Sequence, residues 1–127
     1  MAQTVPRTGL AEYFRKDRVS ARLRDVALHV IRQSGPSTMR TSRSQIAFSR
    51  RCAFAWIWAP RQYLGPRAAP LVLSIALRRR IRSSRWKEVV EPQPGRYMHH
   101  LEVRDARDVD ATVRRWVAEA WKDAGKR

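Results

Sequence analysis

The hydrophobic period of this chain changes at Ser34-Gly35-Pro36, and that change limits the folds open to it. Before the break, Val19, Leu23, Val26, Ala27, Val30 and Ile31 recur at three- and four-residue spacing, which draws one apolar stripe along a helix. Asp17 is placed to cap its start, Arg15, Arg18, Arg22 and Arg32 lie largely off the stripe, and Leu10, Tyr13 and Phe14 begin an apolar helical stripe ahead of it. Gly35 tolerates the left-handed conformation that ends helices, and Pro36 cannot extend one. Met1–Thr8 is aperiodic and contains Pro6, so it reads as a flexible lead to a single domain over residues 9–125.

Beyond the break the period falls to two. Ser37–Thr41 and Gln45–Ser49 are candidate strands, and Arg50-Arg51 is a tight link into a third, Cys52–Trp58. In that third run Phe54, Trp56 and Trp58 share one parity, expected to face the core, and Ala53, Ala55 and Ile57 the other, expected to lie under a second layer. Ala59–Pro70 holds three prolines and Gly65 and reads as a loop, after which Leu71–Leu77 resumes as a strand. Arg78–Trp86 is too charged for an interior strand and reads as a solvent-facing connection. Glu91–Gly95, with two prolines, continues the loop, and Arg96–Arg104 forms a fifth strand with His99 on the parity of Tyr97, Leu101 and Val103. Asp105 or Asp108 then caps a helix whose stripe is Val109, Val113, Trp116, Val117 and Ala120. The sum is an α+β fold: an N-terminal helix, a mostly antiparallel sheet of about five strands, and a C-terminal helix packed on the sheet.

Charge narrows the partners. Lys and Arg total 27 against 11 Asp and Glu, a formal charge of +16, and the imbalance belongs to the middle of the chain. No carboxylate occurs between Asp25 and Glu88, an interval with thirteen Arg or Lys, whereas the remainder is nearly balanced. Cations without interspersed anions hold a sustained positive potential that attracts phosphates. The candidate contacts to a polyanion, with nucleic acid as the leading case, are Arg43, Arg50, Arg51, Arg78, Arg79, Arg80, Arg82 and Arg85. Trp86, between Arg85 and Lys87, is either a stacking platform for a base or a seal on the sheet edge. Trp56 and Trp58 are assigned to the core. The competing readings are a module that docks an acidic protein or self-associates, and an enzyme with a pocket near His99, His100 and Arg96.

The run Thr41-Ser42-Arg43-Ser44-Gln45-Ile46-Ala47-Phe48, then Arg50–Trp56, Glu91–Leu101, and Asp108-Val109-Asp110 leading to Ala120-Trp121, resembles the bacterial domain of unknown function 5655 family. The resemblance extends over about Glu12 to Gly125. It implies a small α+β domain, standing alone or attached to other modules, and it implies no activity.

Chemical motifs are sparse. His99 and His100 point to opposite faces of a strand, so one metal ion cannot easily take both. Cys52 beside Arg50 and Arg51 is expected to be a small buried residue rather than a nucleophile. Asp105, Asp108 and Asp110 precede a helix and suit capping better than a cation site. No phosphate-binding loop, dinucleotide fingerprint or nucleophile elbow occurs, and no cofactor or metal is expected. With one cysteine, a charged Met1–Arg32 segment and no run approaching the ~20 apolar residues of a membrane span, a cytoplasmic setting is expected.

Overall fold

The structure, a computed structural model, describes residues 9–126; the expected flexible lead lies outside the described residues. Two helices, α1 (Leu10–Lys16) and α2 (Arg18–Ser34), come first, separated at Asp17, whose carboxylate accepts the Ser20 N–H at 3.1 Å and caps α2. Its neighbour Tyr13 donates to the same carboxylate at 2.7 Å, and burial with this bond pushes the phenol up to about 12. Gly35 ends α2 with φ at 145°. A Cβ there would overlap the indole of Trp121, so glycine is required both by the backbone and by the neighbour.

Six strands follow: β1 (Thr38–Thr41), β2 (Ile46–Ser49), β3 (Ala53–Trp58), β4 (Leu71–Leu77), β5 (Glu88–Gln93) and β6 (Arg96–Val103). They form one antiparallel sheet in the order β1-β2-β3-β4-β6-β5. A single-turn helix, α3 (Arg61–Leu64), lies between β3 and β4 in the expected loop. The chain ends in α4 (Ala111–Ala124), capped by Asp110, whose carboxylate accepts the Val113 N–H at 3.1 Å. Asp105 and Asp108 instead cap the short 3-10 turn Ala106–Asp108, which places the expected helix cap at the third aspartate of the group.

The strand missed in the sequence is β5. Glu91–Gln93 reads as loop because of Pro92, yet β5 is an edge strand, where a proline removes no needed ladder bond, and its residues are mostly exposed. Pro94-Gly95 then makes the two-residue turn into β6, with Gly95 at φ 77°.

The helices cover one face of the sheet. Leu71, Leu73, Ile75 and Leu77 of β4 face them together with Ile57 of β3 and Leu101 and Val103 of β6, and Val113, Val117 and Ala120 of α4 complete the core cluster. In β3 the expected parity is reversed. Ala55 and Ile57 pair with Phe48 and Ile46 and point into this core, while Trp56 and Trp58 point away and are half-exposed. The cause is a bulge: Phe48 pairs with Ala55 but Ser49 with Ala53, so Phe54 is the extra residue and reaches the core at 1% exposure although its parity is that of the tryptophans. Among the described residues, no helix is long and apolar enough to cross a membrane.

Candidate functional site

The expected arginine surface does not form one patch. Arg50 and Arg51 sit at the C-terminal end of α4, where carbonyls lack helical partners: the Arg50 guanidinium lies 3.6 Å from the Trp121 ring centre and donates to the Trp121 carbonyl, and the Arg51 N–H donates to the Ala124 carbonyl. Cys52 follows, exposed rather than buried because the β2–β3 turn carries it out of the sheet. The Arg78 N–H bonds the Asp123 carboxylate at 3.0 Å, and Arg79 grips Glu119 through two bonds of 2.8 and 2.9 Å. Arg85 donates to both oxygens of Asp110 at 3.0 Å and to the Asp108 carbonyl at 2.6 Å, holding the start of α4 against the loop before β5. The side chains of Arg50, Arg79 and Arg85, and the backbone N–H groups of Arg51 and Arg78, therefore serve α4. Arg80 and Arg82 are exposed, and Arg43 lies in the turn between β1 and β2, at the other end of the sheet.

Trp86 is the edge seal, not the platform. Its ring packs against Trp116 (centres 4.5 Å apart) and His99 (4.8 Å), and its N–H donates to the Ile81 carbonyl at 3.1 Å. His99 is fully buried and ties Ile81 to the core by accepting its N–H at 3.0 Å.

The concave surface lies on the face that the helices leave uncovered. Register defines one row across all six strands: Arg40, Ala47, Trp56, Ser74, His100 and Glu88. Beside it, Trp58 pairs with Val72 and Val72 with Glu102, while Ala76 pairs with Met98. Small residues on β4 thus lie between large ones on β3 and β6, and the result is a trough with a low floor and tall walls. Its first half, about 410 Å³, is lined chiefly by Trp56, Trp58, Tyr63, Ser74, Met98 and His100, with Ser44 and Gln45 at the rim beside Arg43. A second hollow of about 430 Å³ shares Trp58 and His100 and carries Arg67, Lys87 and Arg104 alongside Glu88 and Glu102. Arg104 reaches Glu102 at 3.8 Å.

Neither Trp56 nor Trp58 stacks on another ring or donates its N–H to a protein acceptor among the described residues, unlike Trp86 and Trp121, whose N–H groups both reach carbonyls. Ser74 is 3% exposed and contacts the Nδ1 of His100 at 2.6 Å. This bond occupies Nδ1, its direction following the imidazole tautomer, and leaves Nε2 without a protein partner among the described residues. Burial holds the His100 pKa below its usual value, against the opposing effect of Glu88, so the ring is neutral near pH 7.

Ser74, His100 and Glu88 in file suggest nucleophilic catalysis, but the surroundings favour binding. Ser74 lies in the middle of a strand paired on both sides, so nearby backbone N–H groups are spent in the ladder and cannot converge on a developing oxyanion. Among the described residues no group of three or more His, Cys, Asp or Glu side chains could hold a metal ion.

Sequence reasoning missed Ser44, Gln45, Tyr63, Ser74 and Met98 as site residues and placed Trp56 and Trp58 in the core. One signal was present: Ser74 interrupts an apolar strand on the parity of Val72 and Ala76, the smaller set, which marks that face as not belonging to the main core. No curated protein and no solved structure matches the chain. Residues 11–124, most of its length, match the model of the family described as Domain of unknown function (DUF5655), and with the α+β architecture above this chain belongs to that family.

Proposed function

We propose that this domain binds single-stranded nucleic acid across the uncovered face of its sheet. The observation that carries the reading is the pair of half-buried indoles of Trp56 and Trp58, without a stacking or hydrogen-bond partner among the described residues, set in a trough built largely from the carboxylate-free stretch of the chain. Bases of a single strand stack on exposed aromatics while cations hold the backbone, and a duplex, with its bases already stacked, offers nothing to these rings. Arg40 stands in the same row as Trp56, and Arg67, Lys87 and Arg104 line the adjoining hollow and outnumber its carboxylates Glu88 and Glu102, so phosphates have cations on more than one side. The formal charge of +16 adds long-range attraction. Relative to the arginine-only reading, the contact surface moves from the ends of α4 to the open sheet face.

The test is binding of single-stranded DNA, RNA, duplex DNA and heparin over a salt series. The expected result is a preference for single strands that survives physiological salt, with log affinity falling against log salt by about 0.7 for each phosphate neutralised. Equal binding of heparin and oligonucleotides that vanishes with salt would refute the proposal and turn attention to an acidic protein partner.

A further inference from the structure

We infer that the trough contains a slot for one nucleobase, inserted between Trp56 and Trp58 with its edge against His100; this rests on the single-strand reading above. Trp56 and Trp58 are two residues apart on one face of β3, so their backbones are about 6.6 Å apart along the strand, and both indoles line the same hollow, where a planar ring would meet them. The two rings make no contact of their own, so the space is not closed by their stacking on each other.

The floor and far wall agree with a flat, polar-edged ring. The floor is Ser74, with Val72 and Ala76 to either side, and these short side chains let a ring descend between the walls. The far wall is His100, whose Nδ1 is engaged by Ser74 at 2.6 Å and whose Nε2 takes no protein partner among the described residues. Every base carries both donors and acceptors on its edge, so either tautomer of this nitrogen has a partner whichever base enters. The residues lining this half of the trough include no Lys, Arg, Asp or Glu, whereas the adjoining hollow holds Arg67, Lys87 and Arg104 against Glu88 and Glu102, with Arg104 paired to Glu102. An uncharged aromatic half joined to a half where Arg67 and Lys87 leave a cationic excess is complementary to a nucleotide, with its uncharged base and its phosphate. A lipid or an apolar peptide would leave those cations and the His100 ring nitrogen unmatched.

The experiment uses the full chain and two probes of equal length and charge: a short oligothymidylate and its fully abasic counterpart, followed by tryptophan fluorescence and by direct affinity measurement at physiological salt. The oligothymidylate should quench fluorescence and bind about 5- to 150-fold more tightly than the abasic probe, the range expected for one stacked base. Trp56→Ala and Trp58→Ala should each bring it close to the abasic affinity, and His100→Phe, which keeps a ring but removes its nitrogens, should weaken it about 2- to 10-fold. Equal affinity of the two probes, without quenching, would overturn the slot while leaving phosphate-driven binding standing. Binding of neither probe would overturn the nucleic-acid reading and the slot with it. Tight, quenching binding that is indifferent to the tryptophan changes would place the base elsewhere, and indifference to His100→Phe would remove His100 from the reading of its edge.

Discussion

Replacing His99 by Leu tests how the arginine-rich connection is anchored, because one buried imidazole does that work. His99 Nε2 accepts the Ile81 N–H at 3.0 Å, and Nδ1 faces the Tyr97 carbonyl at 3.1 Å, so the ring is neutral with its proton on Nδ1. Leucine fills much of the volume but leaves the Ile81 N–H without an acceptor, which costs about 1–3 kcal/mol, and removes the ring contact with Trp86 at 4.8 Å, worth about 0.5–1.5 kcal/mol. A loss of about 2–4 kcal/mol near neutral pH follows. Burial also holds the His99 pKa below its ordinary value, with Arg80 and Arg79 acting in the same direction. The unfolded chain therefore takes up a proton below about pH 6.5 that the folded chain refuses, so stability falls as pH falls, by at most about 1.4 kcal/mol for this group between about pH 7.5 and about pH 5.5. The variant lacks that group, so the gap between the two proteins should narrow on acidification. Urea unfolding followed by tryptophan fluorescence at both pH values reads both quantities. A loss under about 0.5 kcal/mol at the higher pH, or an unchanged gap at the lower one, would refute the assigned hydrogen bonds.

Three further outcomes follow from the packing. Gly35→Ala should destabilise by more than about 1 kcal/mol in thermal unfolding, since its positive φ and the Trp121 indole both oppose a Cβ. Asp110→Ala should cost about 1–2 kcal/mol by removing the α4 cap and the Arg85 partner, while Asp110→Asn, which can still cap, should cost less; equal losses measured by urea unfolding would deny the cap its share. Joint replacement of Arg78, Arg79 and Arg80 by Ala should leave quenching by oligothymidylate intact, because none of the three lines the open face and the Arg79 side chain is held by Glu119 of α4; loss of quenching in a folded variant would return the site to that segment.

Much of the fold was legible because it depends on period and punctuation. The α2 stripe from Leu23 onward, its Asp17 cap and its Gly35 stop, the run Leu71–Leu77 and the opposed directions of His99 and His100 were all readable from local pattern, whereas Val19, read as the start of the stripe, is exposed and Ser20 is buried in its place. What escaped depends on neighbours. Whether Glu88–Gln93 forms a strand is decided by Arg96–Val103 offering a free edge, and nothing within β5 itself announces that partner. The direction of Trp56 and Trp58 escaped for a related reason. Size alone sends large aromatics to the core, but the bulge opposite Phe48 and Ser49 spends one aromatic, Phe54, on the core and turns the next two outward.

The same distinction explains why a dense run of arginine does not make one open cationic surface. A run of cations is visible in sequence, but the carboxylates and carbonyls that meet it are far along the chain: Glu119 lies forty residues from Arg79, and the Trp121 carbonyl seventy-one from Arg50. Once α4 docks, its C-terminal carbonyls and acidic side chains engage several of the cations that looked available. The open face has the reverse character. Its residues are individually unremarked, a tryptophan, a serine and a histidine from three strands, and only the register sets them in one row. A surface made by register has no local signature, whereas its charge and its aromatic content do. It is on half-buried aromatics brought into one row by register, rather than on the densest run of arginine, that the proposed single-strand surface rests.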